Sequence, residues 1–179
     1  LKGDYLALSR FCGAVRCGHT YANFYNQSDA VAAALFSDRN RLPFHFRWLA
    51  GRMVVTLNQS DDLRLTRGAE IVSIDARRPV DILRSLLPLA RADGSNDNKR
   101  RAQLEVRGVD RYETFDIYYP LLFPVRDHRF VLEVRPVGAR SVQRIEVGAI
   151  DLAQRRAAMT EAMAEKDSPQ WTLEFTDGV

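Results

Sequence analysis

Cys17-Gly18-His19-Thr20-Tyr21 is the segment whose residue types and spacing best fit chemistry. A histidine directly after a glycine, between a helical and an extended run, can project from a fixed frame into a cleft. Its imidazole titrates near neutrality, so it can take a proton from a hydroxyl nucleophile. His19 is therefore the candidate general base. A structural or surface histidine at the start of a strand is the competing reading, and His45 and His128, which have no evident partners, read as ordinary strand and loop residues. No Gly-x-Ser-x-Gly nucleophile elbow occurs. Ser73 falls inside a strand pattern and Ser95 in a polar loop, neither with a visible partner. The chain thus carries no complete active site. Cys12, Cys17 and His19 lie close together but lack a second ligand pair, so no metal site and no cofactor are expected. A Cys12–Cys17 disulfide is possible in an oxidising compartment, although Cys12 on a helix reads better as a small inward-facing side chain.

These residues must be held by a folded frame, and 179 residues with 46% hydrophobic and 27% charged content suffice for one core. No stretch approaches the roughly 20 apolar residues of a membrane helix. The net charge of +3 is spread among mixed signs, as in Asp61-Asp62-Leu63-Arg64. Lys99-Arg100-Arg101 is the one tight basic cluster, and it lacks the interleaved aromatics of a nucleic-acid stripe, so no nucleic-acid partner is expected. Leu1 and the strand-like Trp171–Phe175 run before Val179 read as cut ends of a longer protein.

Tyr5 to Val15 predicts a helix with Leu8, Phe11, Cys12 and Val15 on one face, ended by Gly18 or shortened by Gly13. His19 to Tyr25 alternates like a strand. Ser28 or Asp29 caps a short helix through Phe36. Phe44, Phe46 and Trp48 alternate with His45 and Arg47, turn at Ala50-Gly51, and return along Met53 to Leu57 as a hairpin. Arg67-Gly68 turns into a strand over Ala69–Asp75, and Pro79 opens a helix. Asp93 to Asn98 reads as an exposed, mobile loop. Leu104 to Arg107 fits either a helix end or a strand. Tyr112 to Tyr119 is aromatic-rich, with Pro120 and Pro124 breaking the stretch beyond it. Strands are predicted over Arg129–Arg135 and Ser141–Ile150, and Asp151 caps a helix to about Lys166.

Cys17-Gly18-His19-Thr20 after an amphipathic helix resembles the N-terminal region of the tail-specific, or C-terminal-processing, serine peptidases, which include the tricorn core protease. Those chains carry Gly-His-Thr or Ser-His-Thr at this point. Later they carry a segment similar to Leu65-Thr66-Arg67-Gly68-Ala69-Glu70-Ile71-Val72-Ser73-Ile74-Asp75, followed by a proline-led helix like Arg78-Pro79-Val80-Asp81-Ile82-Leu83. In the family that segment belongs to a PDZ-like region with Gly-Asp before the Ile and Asn-Gly after the strand. Ala69-Glu70 and Asp75-Ala76 stand there instead, and the pattern covers mainly residues 5 to 90.

The resemblance implies an α+β fold: an N-terminal helical segment over residues 1–40 with the Gly-His-Thr motif, then a PDZ-like small sheet with flanking helices over 41–179 leading into a catalytic domain outside the chain. It implies that His19 serves as general base for a serine on that downstream domain, and that the neighbouring serine of tricorn is Gly18 here. It also implies a peptide site at Leu65, Arg67, Gly68 and Ile71, where a bound peptide adds as a strand and seats its carboxylate on backbone N–H groups. Peptide or protein substrates and the downstream catalytic domain are the implied partners, and an extracytoplasmic location is implied by many members of the family. A non-catalytic peptide-binding or scaffolding module is the alternative.

Overall fold

The structure, a computed structural model, describes residues 1–157. The strand-like run Trp171–Phe175 and the part of the last predicted helix beyond 157 lie outside the described residues. The architecture is α+β, with helices set against an antiparallel meander of order β1-β2-β3-β4-β5. Its strands are β1 (Phe44–Leu49), β2 (Arg52–Asn58), β3 (Glu70–Ile74), β4 (Arg129–Arg135) and β5 (Gln143–Gly148). The first hairpin forms as its alternation predicts. Trp48 pairs with Met53 and Phe46 with Val55. Ala50 (φ 49°) and Gly51 (φ 78°) both take the left-handed conformation that a tight two-residue hairpin requires. A bulge between His45 and Phe46 shifts the register, and His45 is buried along with Phe44 and Phe46.

The helices are α1 (Lys2–Val15), α2 (Asp29–Phe36), α3 (Pro79–Leu86), α4 (Asp97–Gln103) and α5 (Thr114–Leu122). Ser28 caps α2 by accepting from the Val31 N–H. Pro79 sits in the first turn of α3, where its missing N–H has no intrahelical role. Asp151 and Gln154 cap the last described helix reciprocally: Asp151 Oδ1 accepts from the Gln154 N–H at 2.8 Å, and Gln154 Oε1 from the Asp151 N–H at 3.0 Å.

α1 covers the predicted range and begins earlier, at Lys2; it turns Cys12 inward as expected but presents a face rotated away from Leu8, Phe11 and Val15 to the core. Tyr5, Ser9, Cys12 and Gly13 are buried, whereas Leu8, Phe11 and Val15 are exposed. The cause is close approach. A Cβ on Gly13 would lie 2.4 Å from the Pro88 carbonyl oxygen, so the small-residue face lets the helix lie against the 3₁₀ turn Leu87–Leu89 in a way that bulky side chains would prevent. The His19–Tyr25 strand does not form. That segment is a loop anchored by Ala22 and Phe24 in the core, with the Tyr5 hydroxyl donating to the Ala22 carbonyl at 3.1 Å. Pro120 does not end α5, which continues to Leu122 with the Phe123 N–H bonded to the Tyr119 carbonyl at 2.8 Å.

The core joins the inward face of the sheet to α3 and α5. Phe46 is fully buried, with its ring 4.9 Å from that of Phe115 in an edge-to-face contact. Removing such a side chain costs about 3–5 kcal/mol. Among the described residues no helix is long and apolar enough to cross a membrane.

Candidate functional site

Arg16 ends α1 in the left-handed conformation (φ 55°) and turns the chain out of the helix. Its Nε donates to the Gly94 carbonyl at 2.7 Å and its guanidinium meets Asp97 at 2.9 Å, while the Gly94 N–H returns a bond to the Arg16 carbonyl at 2.8 Å. These contacts join Arg16, at the head of the Cys17–Thr20 turn, to Gly94 and to Asp97, which opens α4. Within the turn, the Thr20 N–H bonds the Cys17 carbonyl at 3.0 Å.

His19 is exposed on this turn. Cys17 is an exposed free thiol and Cys12 a buried one. The His19 backbone N–H, then the Thr20 hydroxyl, hold the Cys17 thiol below its usual range. A Cβ on Gly18 would lie 3.1 Å from Asp93 Cγ, so the glycine admits the Asp93 carboxylate to the turn. Asp93 is held below the usual carboxylate range, first by Lys99, whose ammonium lies 2.9 Å away, with His19 adding to the effect.

Two residues beyond His19, Tyr21 enters the wall of a cleft of about 340 Å³. Tyr25 and Tyr112 form more of that wall, their rings 5.6 Å apart and edge-to-face. Arg91 lies over the Tyr21 ring at 5.0 Å. Glu113 closes the floor: its Oε1 accepts from the N–H groups of Arg107 (3.3 Å), Gly108 (2.6 Å) and Val109 (3.2 Å). Burial, followed by the nearby Asp116 carboxylate, nevertheless pushes the Glu113 carboxyl up to about 7.

The structure places the other singled-out residues elsewhere. Leu65 and Ile71 are sealed in the core, while Arg67 and Gly68 are exposed. In that turn the N–H groups of Leu65, Gly68 and Ala69 bond the carbonyls of Asp62, Val55 and Thr66 at 3.2, 2.8 and 3.1 Å. Gly68 takes φ 88°, which only glycine adopts freely. None of these four residues lines the cleft beside His19. Ser73 is buried in β3 with its hydroxyl donating to Glu133 at 2.7 Å, so a carboxylate rather than an imidazole is its partner. In the Lys99-Arg100-Arg101 cluster, Arg100 is buried and bonds the Leu87 carbonyl at 2.5 Å, while Lys99 pairs with Asp93. Among the described residues no group of three or more His, Cys, Asp or Glu side chains is arranged to hold a metal ion.

Sequence reasoning singled out His19 but not the cleft. The tyrosines at 21, 25 and 112 were the available signal, but they lie far apart in the chain and read equally well as core. Arg91 and Glu113 carry no local pattern.

No protein-family model and no curated protein matches the sequence. Among solved structures, the chain resembles one described as the crystal structure of mature CPAF, with a TM-score of 0.39 and 17% identity over 73% of this chain and 23% of that one. The chain therefore spans about a quarter of that protein's length. At this TM-score the likeness conveys neither activity nor site residues.

Proposed function

We propose that this chain is the substrate-binding and accessory portion of a serine peptidase, with His19 as the general base for a serine carried elsewhere in the full protein. The observation that carries the reading is the setting of His19: exposed, on a turn held through Arg16, and two residues before Tyr21, which lines the tyrosine-walled cleft. A base of this kind has to be approached by a nucleophile from another part of the protein, and an exposed ring on a fixed turn permits that. His19 would accept the serine hydroxyl proton as the Oγ–carbonyl bond forms and return it to the leaving amine. In the intact protein, His19→Ala should lower kcat about 10²–10⁴-fold with the melting temperature kept. Unchanged turnover would leave the non-catalytic peptide-binding module as the better reading.

Peptide binding at the Leu65–Ile71 turn belongs to the same proposal, with Arg67 and Gly68 presented to the peptide and Leu65 and Ile71 anchoring the turn from the core. Titration with apolar C-terminal peptides should shift the Arg67 and Gly68 amide resonances. No shift there at millimolar peptide would make the segment a structural turn only.

A further inference from the structure

The charges around the cleft beside His19 are not equally available. Glu105 is engaged from within: its Oε1 accepts the Trp48 N–H at 3.0 Å, and Arg47 Nε lies 2.7 Å from its Oε2. Glu113 is engaged by its three backbone donors. Lys99 pairs with Asp93, but the pair is about half exposed and screened by water. Arg91 and Arg107 line the cleft and make no ion pair among the described residues. The Arg91 guanidinium carbon lies 5.0 Å from the centre of the Tyr21 ring, and a guanidinium carries a fork of N–H donors suited to a planar anion. Asp110 is the one lining carboxylate not engaged in this way, and its charge bears on Tyr25, whose hydroxyl is pushed up by burial and then by Asp110. The cleft is therefore lined by two cations without an ion pair among the described residues, Arg91 and Arg107, together with tyrosine rings and the Asp110 carboxylate.

We propose that this cleft recognises an acidic side chain within an extended peptide. The carboxylate would sit at Arg91, with an adjacent aromatic or apolar residue against Tyr25 and Tyr112. The assignment rests on the substrate-binding reading above and adds its substrate class, at a place separate from the Leu65–Ile71 turn. A guanidinium matches a carboxylate with two parallel N–H···O bonds, which an amide of the same shape cannot reproduce.

The test uses the 179-residue chain and two peptides blocked at both ends, identical except for a Glu or a Gln beside a Phe. Blocking the ends removes the terminal carboxylate as a source of binding. The Glu peptide should bind about five- to tenfold more tightly at low salt, and Arg91→Gln should abolish that preference. Arg129→Gln, remote from the cleft, should leave it intact. Equal affinities for the two peptides, or a preference that survives Arg91→Gln, would overturn the proposal. Absence of binding by either peptide would also overturn it, while the His19 reading stands or falls separately on turnover of the intact protein.

Discussion

His19 rides an exposed turn after α1, whereas His45 lies 3% exposed in β1, with Gly108 packed so closely that a Cβ there would come 2.4 Å from the imidazole. Burial, followed by the Arg155 cation, pushes His45 down to about 4, against the opposing pull of Asp116. That imidazole is neutral at physiological pH, weakly basic and sealed from any substrate. The same side chain is therefore a candidate reagent at one position and a packing element at the other, and solvent access together with the neighbouring charges decides which. Their surroundings differ in the same way. Asp93 and Lys99, beside His19, form an exposed pair. Asp116 and Arg155, near His45, form a pair with side chains 3% and 1% exposed, at 2.8 Å. The Arg155 guanidinium also donates to the Leu42 carbonyl at 2.5 Å and the Phe44 carbonyl at 3.3 Å, and bonds Gln59. One cluster can be reached from solvent, and the other ties β1 and the chain just before it to α5 and the last described helix.

The widest separation should come from paired alanine substitutions in the intact protein. His19→Ala should act on kcat and spare the melting temperature, and His45→Ala should do the reverse. Loss of turnover in both with equal loss of stability would erase the distinction. Next in size, Asp116→Ala should destabilise the fold by about 3–5 kcal/mol in urea titration, because it strands a buried guanidinium. Replacing Arg155 by an apolar residue as well should not recover the loss in full, because the Leu42 and Phe44 carbonyls would lose a donor. A cost under about 1 kcal/mol for Asp116→Ala would mean the pair is not buried as described.

The smallest effect is a pair of opposed pH dependences. His45 is lowered from 6.5 to about 4, so its contribution is present above pH 6.5 and lost as pH falls toward 4. Glu113 is raised from 4.5 to about 7, so its contribution is present below pH 4.5 and lost as pH rises through 7. Between pH 4.5 and 6.5 the two slopes, each at most about 1.4 kcal/mol per pH unit, offset one another. The carboxylates of Asp62, Asp81, Asp93 and Asp97 are lowered from 3.8 and act below that window. Wild-type stability should therefore be nearly flat across it. Glu113→Gln should convert the plateau into a rise with pH, and His45→Gln into a fall. A plateau that persists in both variants would show that neither group is perturbed by its surroundings.

Much of the local architecture was legible in the residues themselves. The Phe44–Trp48 alternation, the Ala50-Gly51 turn, the Ser28 and Asp151 caps and the Pro79 helix start all depend on neighbours within a few positions. The position of His19 after a helix was legible for the same reason. Tertiary contacts decided the rest. Helical spacing in α1 marked an apolar stripe, of which Cys12 faces the core; Tyr5, Ser9 and Gly13 join it there, and Gly13 lets the helix approach the Pro88 backbone. His45 reads as an ordinary strand residue until the bulge and Gly108 enclose it. The cleft brings Tyr21, Arg91 and Tyr112 together from segments with no local pattern in common. Periodicity and caps are properties of adjacent residues, whereas burial, pKa and the choice of packing face depend on what the rest of the chain places alongside.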